Sequence, residues 1–195
     1  MMQFIVTLTT GLMLVSLVAG QTVNPKNSIE RAFVDGGNVR LRLSSGEYSI
    51  KAGNSNRIFI RWHDEDSKVK VIVSVSGSDA LIRTEGPAKH MTTVIEIPKR
   101  SDIYLRMRAG DVRISGIEGN KDIHLTAGDL KIDVQPESYS YVHGAVTFGD
   151  LNARPLGISK DGIKSSFEWH GGGKYRLDAS LFAGDLNLVA PILRE

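Results

Sequence analysis

From Val39 onward the chain alternates apolar and polar residues at period two. Val39, Leu41 and Leu43 flank Arg40 and Arg42. Ile58 and Ile60 continue the pattern, as do Val69, Val71, Val73 and Val75. Val94, Ile95 and Ile97 lead to Pro98. Ile103, Leu105 and Met107 alternate with Tyr104, Arg106 and Arg108. Ile123 and Leu125 follow, then Leu130, Ile132 and Val134, and finally Leu177, Ala179 and Leu181 among Arg176, Asp178 and Ser180. Period two places alternate side chains on opposite faces of a strand. Gly, Asn, Asp, Ser and Pro punctuate the runs where turns are needed. Helix periodicity is nearly absent beyond residue 20. The pattern predicts an all-β fold.

A short motif recurs inside these runs: Ala109-Gly110-Asp111-Val112, Ala127-Gly128-Asp129-Leu130, Phe148-Gly149-Asp150-Leu151 and Ala183-Gly184-Asp185-Leu186. The glycines are 18, 21 and 35 residues apart, the last step being close to two periods. A period near 20 residues is the signature of a stacked, repetitive fold. Apolar or small residues stand at even offsets before each Asp and at odd offsets after it. Such parity cannot switch within a straight strand, whose period is strictly two; here Ile123, Leu125 and Ala127 precede the switch and Leu130 and Ile132 follow it. Each Gly-Asp is therefore a corner that turns the chain while keeping one face inward. Glycine suits it because a tight corner calls for positive φ, and Asp because its carboxylate accepts a backbone N–H. Ser45-Gly46-Glu47-Tyr48 obeys the same rule as a divergent first copy. Val69 to Val75 and Ala80-Leu81-Ile82, joined at Ser76-Gly77-Ser78-Asp79, read as a plain hairpin.

Two architectures satisfy this parity. One is a single-domain β-solenoid, a β-helix-like stack of short strands with corners at Gly46, Gly110-Asp111, Gly128-Asp129, Gly149-Asp150 and Gly184-Asp185. The other is an antiparallel meander or sandwich with Gly-Asp hairpin loops. The even spacing favours the stack, with Ala109, Ala127, Phe148 and Ala183 above one another. The repeat is interrupted between Pro155 and Tyr175.

Composition narrows the function classes. The chain has 195 residues, enough for one core, and 41% hydrophobic content argues for a folded domain. There is no cysteine, which removes disulfides, thiolate metal sites and cysteine nucleophiles. Net charge is +2, with 24 basic residues scattered among 22 acidic ones, unlike the clustered footprint of a nucleic-acid binder. Arg40, Arg42, Arg57, Arg61, Arg106, Arg108 and Arg113 sit at alternate positions of strand-like runs. They read either as a solvated sheet face or as a cationic stripe that meets an acidic surface. Phe4 to Val18 is mostly apolar, and Val18-Ala19-Gly20 supplies small residues before Gln21. That predicts a secretory signal over residues 1–20, a lead-in over 21–34 and one β-repeat domain over 35–195. The expected location is extracytoplasmic: periplasm, cell surface or medium. Membrane attachment is expected only if the signal segment is retained.

No constellation reads as catalytic. Stacked Asp111, Asp129, Asp150 and Asp185 form a carboxylate ladder, either turn caps or calcium ligands, but the nine-residue calcium repeat is missing. Asp64-Glu65-Asp66 reads as an acidic loop tip. His63, His90, His124, His143 and His170 lack metal-ligand spacing, so no metal and no cofactor is expected. Gly171-Gly172-Gly173-Lys174 is followed by Tyr175, which breaks the phosphate-loop pattern, and reads as a flexible loop before a strand. Trp62, Trp169, Tyr139, Tyr141 and Phe167 are candidate exposed aromatics. Phe167, Trp169 and His170, beside that glycine loop, form the candidate ligand-binding site, since aromatic faces stack on sugar rings; a satellite core is the alternative.

The Ala-Gly-Asp-Leu/Val copies, the secretory N-terminus and the Pro98-Lys99-Arg100-Ser101-Asp102 lead-in resemble the DUF4097 family of bacterial adhesin-like proteins, over roughly residues 35 to 190. The resemblance implies a stacked β domain on the extracytoplasmic side and no catalytic residues. The expectation is a non-catalytic secreted or envelope-associated protein with a binding or structural role, its partner an unidentified glycan or envelope protein. The alternatives are an accessory or sensor subunit acting through an envelope partner, and, further off, a carbohydrate-active enzyme.

Overall fold

The structure is a computed structural model that describes residues 27–63, 69–86 and 91–191. The expected signal segment over residues 1–20, the expected acidic loop tip Asp64-Glu65-Asp66 and His90 lie outside the described residues. Strands dominate: β1 (Ser28–Ala32), β2 (Asn38–Leu43), β3 (Gly46–Gly53), β4 (Arg57–His63), β5 (Lys70–Ser76), β6 (Asp79–Glu85), β7 (Thr92–Pro98) and β8 (Asp102–Ser115). They are followed by β9 (Lys121–Ala127), β10 (Leu130–Asp133), β11 (Tyr139–Phe148), β12 (Leu151–Ala153), β13 (Ile158–Lys160), β14 (Ile163–His170), β15 (Tyr175–Ala183) and β16 (Leu186–Val189). The fold is all-β. The lead-in contributes β1, which pairs antiparallel with β4.

Strands before each corner form one sheet and strands after it form another. The leading sheet runs β5-β6-β2-β8-β9-β15-β11-β14. The trailing sheet runs β1-β4-β7-β3-β8-β10-β16-β12-β13. Strand β8 belongs to both, its halves meeting at Gly110. Six neighbouring strands of each sheet are parallel, and antiparallel strands close both ends. Parallel pairing excludes a simple meander. The hairpin β5–β6 is present, with Ser76 opposite Asp79.

The inward side chains of both sheets make one core. Leu41, Leu105, Ile123 and Ala179 lie in register on the leading sheet. Ile50, Ile114, Ile132 and Leu188 do the same on the trailing sheet. All eight are at most 1% exposed, so each isoleucine or leucine contributes roughly 1.5–3 kcal/mol by leaving water.

The glycine column exists, but it is not in chain order. Its spatial sequence is Gly46, Gly110, Gly128, Gly184, Gly149, because β15 and β16 stand between β9–β10 and β11–β12. Phe148 accordingly follows Ala183 in its column rather than Ala127. The cause lies in the interrupted stretch. After β12 a 3₁₀ turn at Arg154–Leu156, ended by left-handed Gly157, reverses the chain into β13 and then β14, which caps β11. Gly171-Gly172-Gly173 then carries the chain past the start of β11 into the vacant slot. A Cβ on Gly173 would stand 2.2 Å from the Ser138 backbone, and one on Gly171 2.2 Å from the Trp169 ring. The Gly171 and Gly173 amides donate to Ser140 and Tyr139. This loop is a steric passage, packed closely at two of its three glycines, and not a slack linker.

Candidate functional site

The corner motif builds a hydrogen-bonded spine. Gly110, Gly128, Gly184 and Gly149 have φ of 118°, 117°, 123° and 133°, a region essentially reserved for glycine. The Asp that follows each of the first three caps the next coil. Asp111 Oδ1 accepts the Asp129 N–H at 3.0 Å, Asp129 Oδ1 accepts that of Asp185 at 3.0 Å, and Asp185 Oδ1 accepts that of Asp150 at 2.9 Å. These carboxylates are exposed structural caps. No group of three metal-ligating side chains occurs among the described residues.

A second spine lies at the opposite end of the leading strands. The Asn38 amide donates to Asp79 at 3.2 Å, the Asn120 N–H and Nδ2 donate to the Asp102 carboxylate at 2.8 and 3.0 Å, and Asn120 Oδ1 accepts the Arg176 N–H at 2.9 Å. Asn38, Asp102 and Asn120 each precede a corner glycine by eight residues. That spacing is legible in the sequence, but it is independent of the period-two alternation.

Between the spines, the outward side chains of the leading sheet form a broad polar platform. One row, in register, reads Leu81, Arg40, Tyr104, Asp122, Asp178, His143, Glu168. The next reads Arg83, Arg42, Arg106, His124, Ser180, Ala145, Ser166. A shallow groove of about 420 Å³ crosses it beside Tyr104, Asp122, His124, Tyr141 and Arg176. The Arg176 guanidinium lies 4.5 Å from the Tyr141 ring centre, and the His170 ring 5.2 Å from it.

His124 bridges two neighbours on this platform. Its Nδ1 meets Ser180 Oγ at 2.5 Å and its Nε2 meets Asp122 Oδ1 at 2.9 Å. Burial raises the Asp122 carboxyl, but the Arg106 hydrogen bond and charge, with His124, outweigh it and hold the group below the usual carboxylate range. The residue order is that of a nucleophilic triad, yet a triad also needs aimed oxyanion donors in a water-excluded site. Ser180 sits in β15, whose backbone is committed to β9 and β11 on either side, and His124 is 45% exposed. The arrangement holds side chains in place on an open face. His143 pairs with Asp178 at 3.2 Å, one row away from His124 with β15 between their strands, so the two histidines share no ligand position.

The aromatic candidates separate by strand parity. Phe167 is buried in the core against Gly144, where a Cβ would lie 2.4 Å from its ring. Trp169 is half-buried against the same core. Only His170 of the three faces outward. Tyr139 is buried, Trp62 packs on the core, and Tyr141 remains on the platform.

Lys121 carries inward parity and points into the core, 2% exposed. Its Nζ donates to the Ile117 and Gly119 carbonyls and the Tyr139 hydroxyl at 2.9, 3.1 and 2.7 Å. Burial pulls its pKa down to about 8, against the attraction of Asp102 and Glu118. The sequence offered this residue through its alternation with Ile123 and Leu125, but a lysine does not read as core.

No protein-family model matches the chain, and no curated protein is similar to it. Solved structures are. A putative cell adhesion protein from Clostridium sporogenes matches with a TM-score of 0.51 and 12% identity, over 83% of this chain and 97% of that one. Putative adhesins from Bacteroides fragilis and Parabacteroides merdae match with TM-scores of 0.36 and 0.28 at 10% and 9% identity, each over 83% of this chain and 96% and 95% of theirs. The chain thus shares an all-β fold with a bacterial protein named for cell adhesion.

Proposed function

We propose that this chain is a non-catalytic, extracytoplasmic binding protein of the adhesin-like DUF4097 type, and that the outward face of its leading sheet is the contact surface. The observation that carries the reading is the platform itself. It spans eight strands, is held by a spine at each end, and bears aromatic, cationic and hydroxyl groups on a rigid backbone. Rigid sheets present contacts without an ordering cost on binding. The apolar run before Gln21 supports the location, and among the described residues no helix is long and apolar enough to cross a membrane. The fold likeness supports the class of protein.

The test is attachment. The purified chain is bound to immobilised bacterial and host cells and to a glycan panel, alongside Tyr141→Ala and His170→Ala. Saturable attachment reduced by platform substitutions is expected; attachment unaffected by any platform residue overturns the assignment of the face. A second reading, docking to an envelope protein, has its own observation. Phe148 and Phe182 are 47% and 55% exposed and in edge contact at 5.3 Å, beside Ile163 at 70%. Recovery of one stoichiometric envelope protein, lost on Phe182→Ser, would favour that reading.

A further inference from the structure

Arg42 stands in register with Arg83 on one side and Arg106 on the other, all on the outward face of the leading sheet. Neighbouring strands are about 4.8 Å apart, so three guanidiniums share one row across three strands. Arg40 and Arg108 flank this row on the same face, two residues from Arg42 and Arg106. Like charges directly opposite one another destabilise a sheet. Two of the five are compensated: Arg83 by Glu85 at 3.0 Å and Arg106 by Asp122 at 3.0 Å. Among the described residues no carboxylate pairs with Arg40, Arg42 or Arg108. Asp79, also on this side, is taken by Asn38. Tyr104 adjoins Arg40 in register and is 38% exposed.

We propose that this arginine row, with Tyr104, is a docking track for a linear carboxylate-bearing polysaccharide lying across the strands. The proposal rests on the binding-protein reading above and names the partner of that face. Guanidinium forks match carboxylates in a bidentate way that ammonium groups do not. Guanidiniums stand on three consecutive strands, Arg42 unpaired among the described residues and Arg83 and Arg106 each sharing one carboxylate. With Arg40 and Arg108, likewise unpaired, beside them, they suit a ligand that itself repeats an anion along an extended chain. Tyr104 offers an aromatic face to the apolar side of a pyranose ring. The remaining arginines of the alternating runs do not join the track. Arg57 and Arg113 belong to the trailing sheet and pair with Glu30 and Asp133.

The test is binding of the full-length chain to immobilised polygalacturonate, with neutral dextran as reference, at low and at physiological salt. Saturable binding to polygalacturonate only is expected, weakening as salt rises. Arg42→Ala with Arg108→Ala should reduce affinity by about tenfold or more, from lost charge-assisted hydrogen bonds. Arg57→Ala should leave it unchanged. Tyr104→Ala should weaken binding without altering its salt dependence. The melting temperature of Arg42→Ala should stay level or rise, because a like-charge contact is removed. No binding to polygalacturonate overturns the proposal. So does equal loss with Arg57→Ala, which marks diffuse charge, and so does tighter binding of single-stranded DNA or anionic vesicles than of polygalacturonate. Cell attachment measured in parallel keeps the two ideas apart: attachment retained without polyanion binding leaves the binding-protein reading standing and removes only the arginine track.

Discussion

Gly128→Ala is the sharpest perturbation the corner offers. Gly128 has φ of +117°, and a Cβ there would lie 2.0 Å from the Gly110 carbonyl oxygen, with further backbone atoms at 2.6 and 2.9 Å. Two penalties add. Holding an L-residue in that backbone region costs about 1–3 kcal/mol. Relieving the overlap requires the adjacent coil to shift, since the atoms met are backbone and not a flexible side-chain end; overpacking of this sort costs about 1–3 kcal/mol. The sum is roughly 2–6 kcal/mol out of a total that for folded domains is about 5–15 kcal/mol. At about 2–4 °C per kcal/mol for a chain of this size, melting should fall by roughly 5–20 °C. Gly77→Ala is the control. Its φ is +58° and its Cβ would meet nothing within 4 Å, so only the left-handed penalty of about 1–2 kcal/mol applies, partly offset by a stiffer unfolded chain. Thermal melting by circular dichroism compares the two. If Gly128→Ala melts as high as Gly77→Ala, close stacking of corner glycines does not hold the coils together.

Asp129→Ala leaves the Asp185 N–H without its acceptor and should cost about 0.5–1.5 kcal/mol, whereas Asp129→Asn keeps an amide oxygen there and should recover most of it, as read by denaturant midpoints. Lys121 gives a pH signature. Its folded pKa is lowered, to about 8 from 10.5, so the unfolded chain holds that proton more tightly and stability rises with pH between those values, by about 3 kcal/mol over the full window. Burial raises the Tyr139 phenol, which opposes the rise above pH ~10. Urea midpoints measured from pH ~7 to ~9.5 should therefore climb for the wild type and stay flat for Lys121→Met. A chain ended after His170 lacks β15 and β16 and should lose cooperative melting of the β11–β14 cap, while retaining it would mean the cap folds on its own.

Period-two alternation was enough to place the core rows, since a strand with one buried face has no other way to write itself. The parity switch at Gly110, Gly128, Gly149 and Gly184 marked the corners for the same reason. What alternation cannot encode is which coil neighbours which. Leu177 and Leu181 fit equally well beside Ile123 or at the end of the stack, because every coil presents the same apolar column. The order is decided by β13, β14 and the glycine passage, none of which repeats. The platform was half legible. Arg40, Arg42, Arg106 and Arg108 showed outward parity, but Arg83 joins them only through the β2–β6 pairing, a contact 41 residues apart in the chain. Phe167 and Trp169 read from sequence either as an exposed patch or as a satellite core, and their strand parity sends them inward to the second of these.

Because β15 and β16 enter between strands made earlier, assembly cannot proceed strand upon strand from one end. Until they arrive, β9 and β11 face each other across an empty lane in one sheet, and β10 and β12 do so in the other. Four unsatisfied edges wait for a segment encoded downstream, which makes the closing step non-local and slow. The same lane accepts the equivalent segment of a second copy just as well, with an identical set of hydrogen bonds. Refolding at high concentration should therefore divert part of the population into exchanged dimers, so the feature that locks the finished molecule is also the one most exposed to error while it forms.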